Sequence, residues 1–202
     1  MNLAQIEAIN RKIDILQYKR YPCIKEEELI SFETAAGISF PRDYRDFLLY
    51  IGNGVGWVDL NSLQESLRVL EYKGGKITDL RKPFPLKRSG DYKVVAQFAS
   101  QFLQPGQALN DFYNSFTSGY LEIVTGVDLS VLLIISGEER GNIWYVRRFN
   151  EYEDKYPLKY PQIWALLDEQ RHKKPVSFYR WYITHLDETL AKWKKISKNT
   201  QN

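Results

Sequence analysis

Cysteine and histidine are nearly absent from this chain: one cysteine, Cys23, and two histidines, His172 and His185. A lone thiol excludes an internal disulfide and fits a reducing compartment. With the two histidines far apart, no metal-ligand spacing exists. No Gly-x-Ser-x-Gly elbow occurs, so a serine hydrolase has no support. No excess of one charge stands out either. The 28 basic and 25 acidic side chains leave a net charge of +3, far from the concentrated positive charge of a dedicated nucleic-acid binder. Long apolar runs are missing. The longest aliphatic stretch, Val131 to Ile135, is far too short to span a bilayer. The first residues alternate apolar and polar side chains and lack the apolar centre of a signal peptide. The expectation is a cytoplasmic protein with no metal, no cofactor and no membrane segment.

Apolar and aromatic residues are plentiful, 44% and 14% of 202 positions, enough to bury a substantial core within one domain. The most fully marked segment runs from Phe40 to Gly56. Pro41 suits a first helical position, and Asp43 suits the positive end of the helix dipole. Tyr44, Phe47, Leu48 and Ile51 form one apolar stripe at helical spacing. Gly52, Asn53 and Gly54 tolerate the positive φ that helix exits use. This glycine cluster follows a helix rather than a strand, so it is not a phosphate loop.

Leu3, Ile6, Ile9, Ile13 and Leu16 predict an earlier amphipathic helix, broken at Tyr21 and Pro22. Residues Glu26 to Ala36 predict a second, closed by Gly37. Leu60 to Leu70 fits a short helix, Lys73 to Lys76 a turn, and Leu80 to Asp91 a loop. Val94 to Phe102 fits either strand or helix, and Asn110 to Gly119 reads as loop. Three strands follow, at Tyr120–Thr125, Val131–Ser136 and Asn142–Phe149. Their short connections, Gly126-Val127-Asp128 and Gly137 to Gly141, force antiparallel pairing. Asn150 to Pro161 reads as loop and Gln162 to Gln170 as a short helix. After Pro175 and Ser177, a last helix carries Phe178, Trp181, Tyr182, His185, Leu186, Leu190 and Trp193 on one face. Helices first, antiparallel strands next and a helix last define an α+β domain.

Candidate chemistry is sparse. His185 lies on the apolar stripe and reads as a hydrogen-bonded core or rim histidine. Cys23 reads as a small half-buried residue. Glu138 and Glu139 are paired carboxylates in a hairpin turn, where charges are usually solvated. A basic stretch, Lys73, Lys76, Arg81, Lys82, Lys87, Arg88 and Lys93, has Tyr72, Phe84 and Tyr92 interleaved. Such a patch can hold phosphates and stack bases, but Glu71, Asp79 and Asp91 dilute it. Tyrosines in polar surroundings, at Tyr113 and from Tyr152 to Tyr160, favour a protein-binding surface.

The Phe-Pro-Arg-Asp-Tyr-Arg-Asp-Phe-Leu run at 40–48, ending in Gly-Asn-Gly at 52–54, resembles the Leu-Pro-x-x-Tyr-x-x-Phe-Leu…Asn-Gly signature of the SUKH superfamily. That superfamily joins bacterial immunity proteins to fungal regulators of cell-wall synthesis. Three further pieces follow in order. Lys82 to Leu86 is similar to a Pro-Phe-Pro segment. Gly119 to Ile123 with Leu132 to Trp144 resembles the central hairpins. Ser177 to Tyr182 with Leu186 resembles the closing Ser-Phe-x-x-Trp helix. The likeness spans roughly residues 26–190, with Phe40 in place of the usual leucine.

The resemblance implies a single domain over 1–202, with a central mainly antiparallel sheet flanked by N-terminal helices and a C-terminal helix, and with no catalytic residues. It implies an immunity protein that binds a cognate secreted toxin domain directly. The alternatives are a scaffold or regulatory interaction protein without a toxin partner, and a nucleic-acid-binding protein using Lys73 to Lys93. A homo-oligomer stays open. Predicted loop exposure makes Trp57, Glu138, Glu139, Arg140, Tyr152, Glu153 and Asp154 the candidate partner-binding residues. A mimic of nucleic acid that plugs a basic nuclease cleft should be strongly acidic. Either local clusters such as Glu26 to Glu28 serve that purpose, or the toxin is not a basic nuclease.

Overall fold

The computed structural model describes residues 1–56, 60–86, 118–126, 129–147, 162–168 and 174–199. The first helix, α1 (Leu3–Ile15), begins with a capping box, in which Asn2 Oδ1 accepts from the Gln5 amide at 2.9 Å and Gln5 Oε1 from the Asn2 amide at 2.8 Å. Ile9 and Ile13 are buried, whereas Leu3 is exposed and lies off the buried stripe. The helix stops before Tyr21 and Pro22. Gln17 takes a φ of 56°, and the Tyr18 amide returns to Ile13 O at 3.1 Å, a Schellman closure made without glycine.

Helix α2 (Glu26–Ala36) carries Glu26, Glu27 and Glu28 in its first turn and ends at Gly37, as the sequence predicts. Helix α3 (Arg42–Tyr50) follows, with Pro41 as its N-cap, one position before the expected place. Tyr44, Phe47, Leu48 and Ile51 are buried together, as their spacing predicts. Glu33 of α2 accepts from the Phe40 amide at 2.7 Å and pairs with Arg45 Nε at 3.3 Å, which fixes α3 against α2.

The Gly-Asn-Gly exit works differently from the sequence expectation. Only Gly54 has positive φ, 96°. A Cβ there would lie 2.8 Å from Leu60 O, and one on Gly52 would lie 2.9 Å from Tyr21 O. Close approach of backbone, more than helix termination, demands these glycines. Between them, Asn53 Oδ1 accepts from the Leu63 amide at 2.8 Å, at the start of α4 (Leu63–Tyr72). Leu60 falls outside that helix, in isolated bridges to Val55 and Val124. A 3-10 turn, Ile77–Arg81, comes next.

Strands β1 (Tyr120–Val124), β2 (Leu129–Ile134), β3 (Ile143–Arg147) and β4 (Gln162–Ala165) form an antiparallel sheet in chain order. Register pairs Leu132 with Trp144 and Tyr145 with Trp164. Both faces are covered. One carries Leu121, Ile123, Val131, Leu133 and Ile143 into the helical core; the other carries Tyr120, Leu132, Ile134, Trp144 and Val146 beneath Phe84 and Leu86. Phe84 meets Trp144 edge-on at 5.1 Å. Two-sided burial explains why β2 reads as a continuous apolar run.

The helix expected over Gln162 to Gln170 is instead β4 followed by β5 (Leu167–Asp168). Pairing with β3 overrides a weak helical pattern, and Ile163 drops into the second core while Trp164, half-buried, packs beside Tyr145. Pro175 lies in β6 (Lys174–Pro175), which pairs with β5. Ser177 then leads into α5 (Phe178–Asn199), its Oγ accepting from the Arg180 amide at 3.4 Å. Phe178 and Tyr182 sit edge-on to Phe47 at 5.3 and 5.2 Å. Trp193 departs from the expected buried stripe and is 51% exposed, because the apolar packing of α5 ends at Leu190. These elements make an α+β fold with N-terminal helices, a central antiparallel sheet and a C-terminal helix. The segments expected at Val94 to Phe102 and Asn150 to Pro161, and all but the last two residues of Asn110 to Gly119, lie outside the described residues.

Candidate functional site

The turn from Gly137 to Gly141 leaves Glu138 and Arg140 exposed, as expected, but not Glu139. Glu139 is 6% exposed and accepts from Asn142 Nδ2 at 3.0 Å, so the expected loop exposure does not hold for it. Arg140 reaches back across the fold. Its Nη2 donates to Ser39 O at 3.0 Å, Ser39 Oγ at 3.1 Å and Phe40 O at 2.9 Å. That guanidinium clamps the β2–β3 turn onto the segment entering α3. Trp57, Tyr152, Glu153 and Asp154 lie outside the described residues.

A different surface gathers side chains of contact type. Cross-strand pairing sets Trp164 beside Tyr145, ring centroids 5.7 Å apart. Trp181 Nε1 of α5 donates to Tyr145 Oη at 3.1 Å. One helical turn on, His185 stacks on Trp181 at 6.3 Å and 26°. Four rings thus run in a row from β4 across β3 to α5. Beside them opens a cleft of about 340 Å³, lined by Tyr145, Trp181 and His185, with Leu166 and Val176 as apolar wall. Asp168 Oδ2 lies 3.5 Å from Arg180 Nε on one rim. Glu188 lines the cleft from the next turn of α5.

Burial holds the His185 imidazole below its usual range, Glu188 opposes that shift and Lys192 adds to it. Burial raises the Tyr145 phenol, the Trp181 hydrogen bond lowers it and Glu188 raises it again. Around neutral pH His185 is therefore uncharged. The described lining is amphipathic, with two acidic side chains to one guanidinium. It is not an arrangement of nucleophile, base and oxyanion donors.

The remaining candidates separate. His185 is the rim histidine its position predicts. Cys23 is exposed rather than half-buried. In the basic stretch, Lys73 is tied to Glu122 and Lys82 to Asp79, and Phe84 is buried in the second core. Lys87, Arg88, Tyr92 and Lys93 lie outside the described residues. A groove of about 440 Å³ between α1 and α5 has no aromatic wall, and its Asp187 is paired to Lys12. Among the described residues, no group of His, Cys, Asp and Glu could hold a metal ion. No helix among them is long and apolar enough to cross a membrane.

The sequence marks Trp181 and His185 as one helix face but gives no sign of Tyr145 and Trp164. Those two join the surface only through the β3–β4 register. The helix, turn and strand pieces gathered here in one fold agree with the comparison to known families. Neither the curated proteins nor the solved structures include a match to this chain. The model of the SMI1 / KNR4 family (SUKH-1) matches residues 23–169, from the start of α2 through β5. The chain belongs to the SMI1 / KNR4 family (SUKH-1).

Proposed function

We propose that this protein is a non-enzymatic immunity protein of the cytoplasm that binds a cognate secreted toxin domain and blocks its action. Family membership over residues 23–169 carries the reading. The aromatic row beside the cleft supports it, because half-buried Tyr145, Trp164 and His185, backed by the buried Trp181, offer contact area at small entropic cost. The whole chain acts as one binding domain. Trp57, Glu138, Tyr152, Glu153 and Asp154 are proposed as further contacts. Arg140 and Glu139 fasten the β2–β3 turn to Ser39, Phe40 and Asn142.

The test is co-expression with the toxin domain encoded beside this gene. Growth is rescued and the two chains elute together. If cells still die and no complex forms, the immunity reading is lost. A regulatory interaction protein without a toxin partner then takes its place. Steep salt-dependent retention of DNA or RNA by the purified chain would instead favour nucleic acid.

A further inference from the structure

The cleft beside the aromatic row has its own ligand chemistry. Two half-buried rings, Tyr145 and His185, present π surface at one end of a cavity with an apolar wall, and the buried Trp181 backs them. Among the described residues that line the cleft, Arg180 is paired with Asp168 and Glu188 is the remaining charge, with Lys192 one turn farther along α5. Negative ring faces and a carboxylate at the rim attract a cation, and an apolar wall favours one on a long hydrocarbon stem. An arginine fits all three demands, because its planar guanidinium stacks on rings and takes a carboxylate with its fork of donors. This local bias is opposite to the net charge of the whole chain, +3.

Resting on the reading of a protein-binding domain, we propose that the cleft between β3, β5 and α5 receives an arginine side chain of the partner, stacked on the Tyr145 and His185 rings and paired with Glu188. The inserted residue acts as an anchor around which the rest of the interface forms.

The probe is N-acetyl-arginine methylamide, with the citrulline analogue as its neutral counterpart. The readout is the shift of the Trp181 and Trp164 indole N–H resonances in the intact protein, each identified by its loss in Trp181→Phe or Trp164→Phe. The arginine probe produces saturable shifts with a millimolar Kd, on the order expected for so small a ligand. Glu188→Gln weakens it about threefold to fivefold and Glu188→Lys abolishes it, as expected for an ion pair at a partly exposed rim. Glu7→Gln, on the exposed face of α1, leaves it unchanged. Equal shifts with the citrulline probe, or equal affinity in wild type and Glu188→Gln, overturn the proposal. So does the absence of saturation. A chain that still captures its toxin while ignoring the probe keeps the immunity reading and loses this one.

Discussion

Among the described residues Tyr44 Oη is buried without a hydrogen-bond partner, although its ring is held edge-on between Phe40 and Phe178. Burial pushes the phenol well above its usual range. The ring packs and the hydroxyl is desolvated for nothing. Tyr44→Phe is therefore neutral or stabilising, by up to about 1 kcal/mol. Tyr44→Ala costs about 3–5 kcal/mol through the cavity it leaves. Urea unfolding midpoints separate the two, and a loss above about 1 kcal/mol in the phenylalanine variant would show a hidden partner for the hydroxyl. At this scale the sequence is a good guide to burial, since Tyr44, Phe47 and Leu48 lie where periodicity puts them. It is a poor guide to Glu139 and Arg140. Their side chains are set by Asn142 and by Ser39 and Phe40, and the latter two lie about a hundred positions away in the chain.

Among elements, Arg140 is the joint between the β2–β3 turn and the entry to α3. Arg140→Ala removes donations to three oxygens and lowers stability by about 1–2 kcal/mol, read as a shift of the thermal midpoint with no partner present. An unchanged midpoint would return Arg140 to the list of free contact residues. Lys73 at the end of α4 and Glu122 in β1 form the corresponding joint on the other side, with the carboxylate 1% exposed. Lys73→Met leaves that carboxylate buried beside a neutral side chain and costs roughly 3 kcal/mol. The double variant Lys73→Met/Glu122→Leu recovers most of the loss, and a double variant as unstable as the single one would contradict a coupled pair. Helices α2 and α3 are legible because their starts, stripes and exits are local signals. Strand β4 is not, because Gln162 to Ala165 becomes a strand through β3 rather than through its own pattern. The end of α1 is missed for a related reason. Gln17 adopts a left-handed conformation that glycine usually announces.

For the whole molecule, His185 in the cleft couples stability to pH. The fold depresses the His185 pKa, so it favours the neutral imidazole. That contribution is in place above about 6.5, the ordinary histidine value, and is lost as pH falls below it. Wild type should lose more stability between about pH 7 and pH 5 than His185→Gln, in which Glu188 and Lys192 remain and no proton is taken up at that position. Parallel losses in urea titrations across that range would assign the acid sensitivity to other groups.

Local periodicity and turn chemistry by themselves determined the α+β order and the α3 stripe, because each depends on residues within a few positions of one another. Tertiary structure alone decided that Trp164, Tyr145, Trp181 and His185 share one surface. The β3–β4 register and the docking of α5 bring those residues together from separate parts of the chain, and neither is written in the neighbourhood of any one of them.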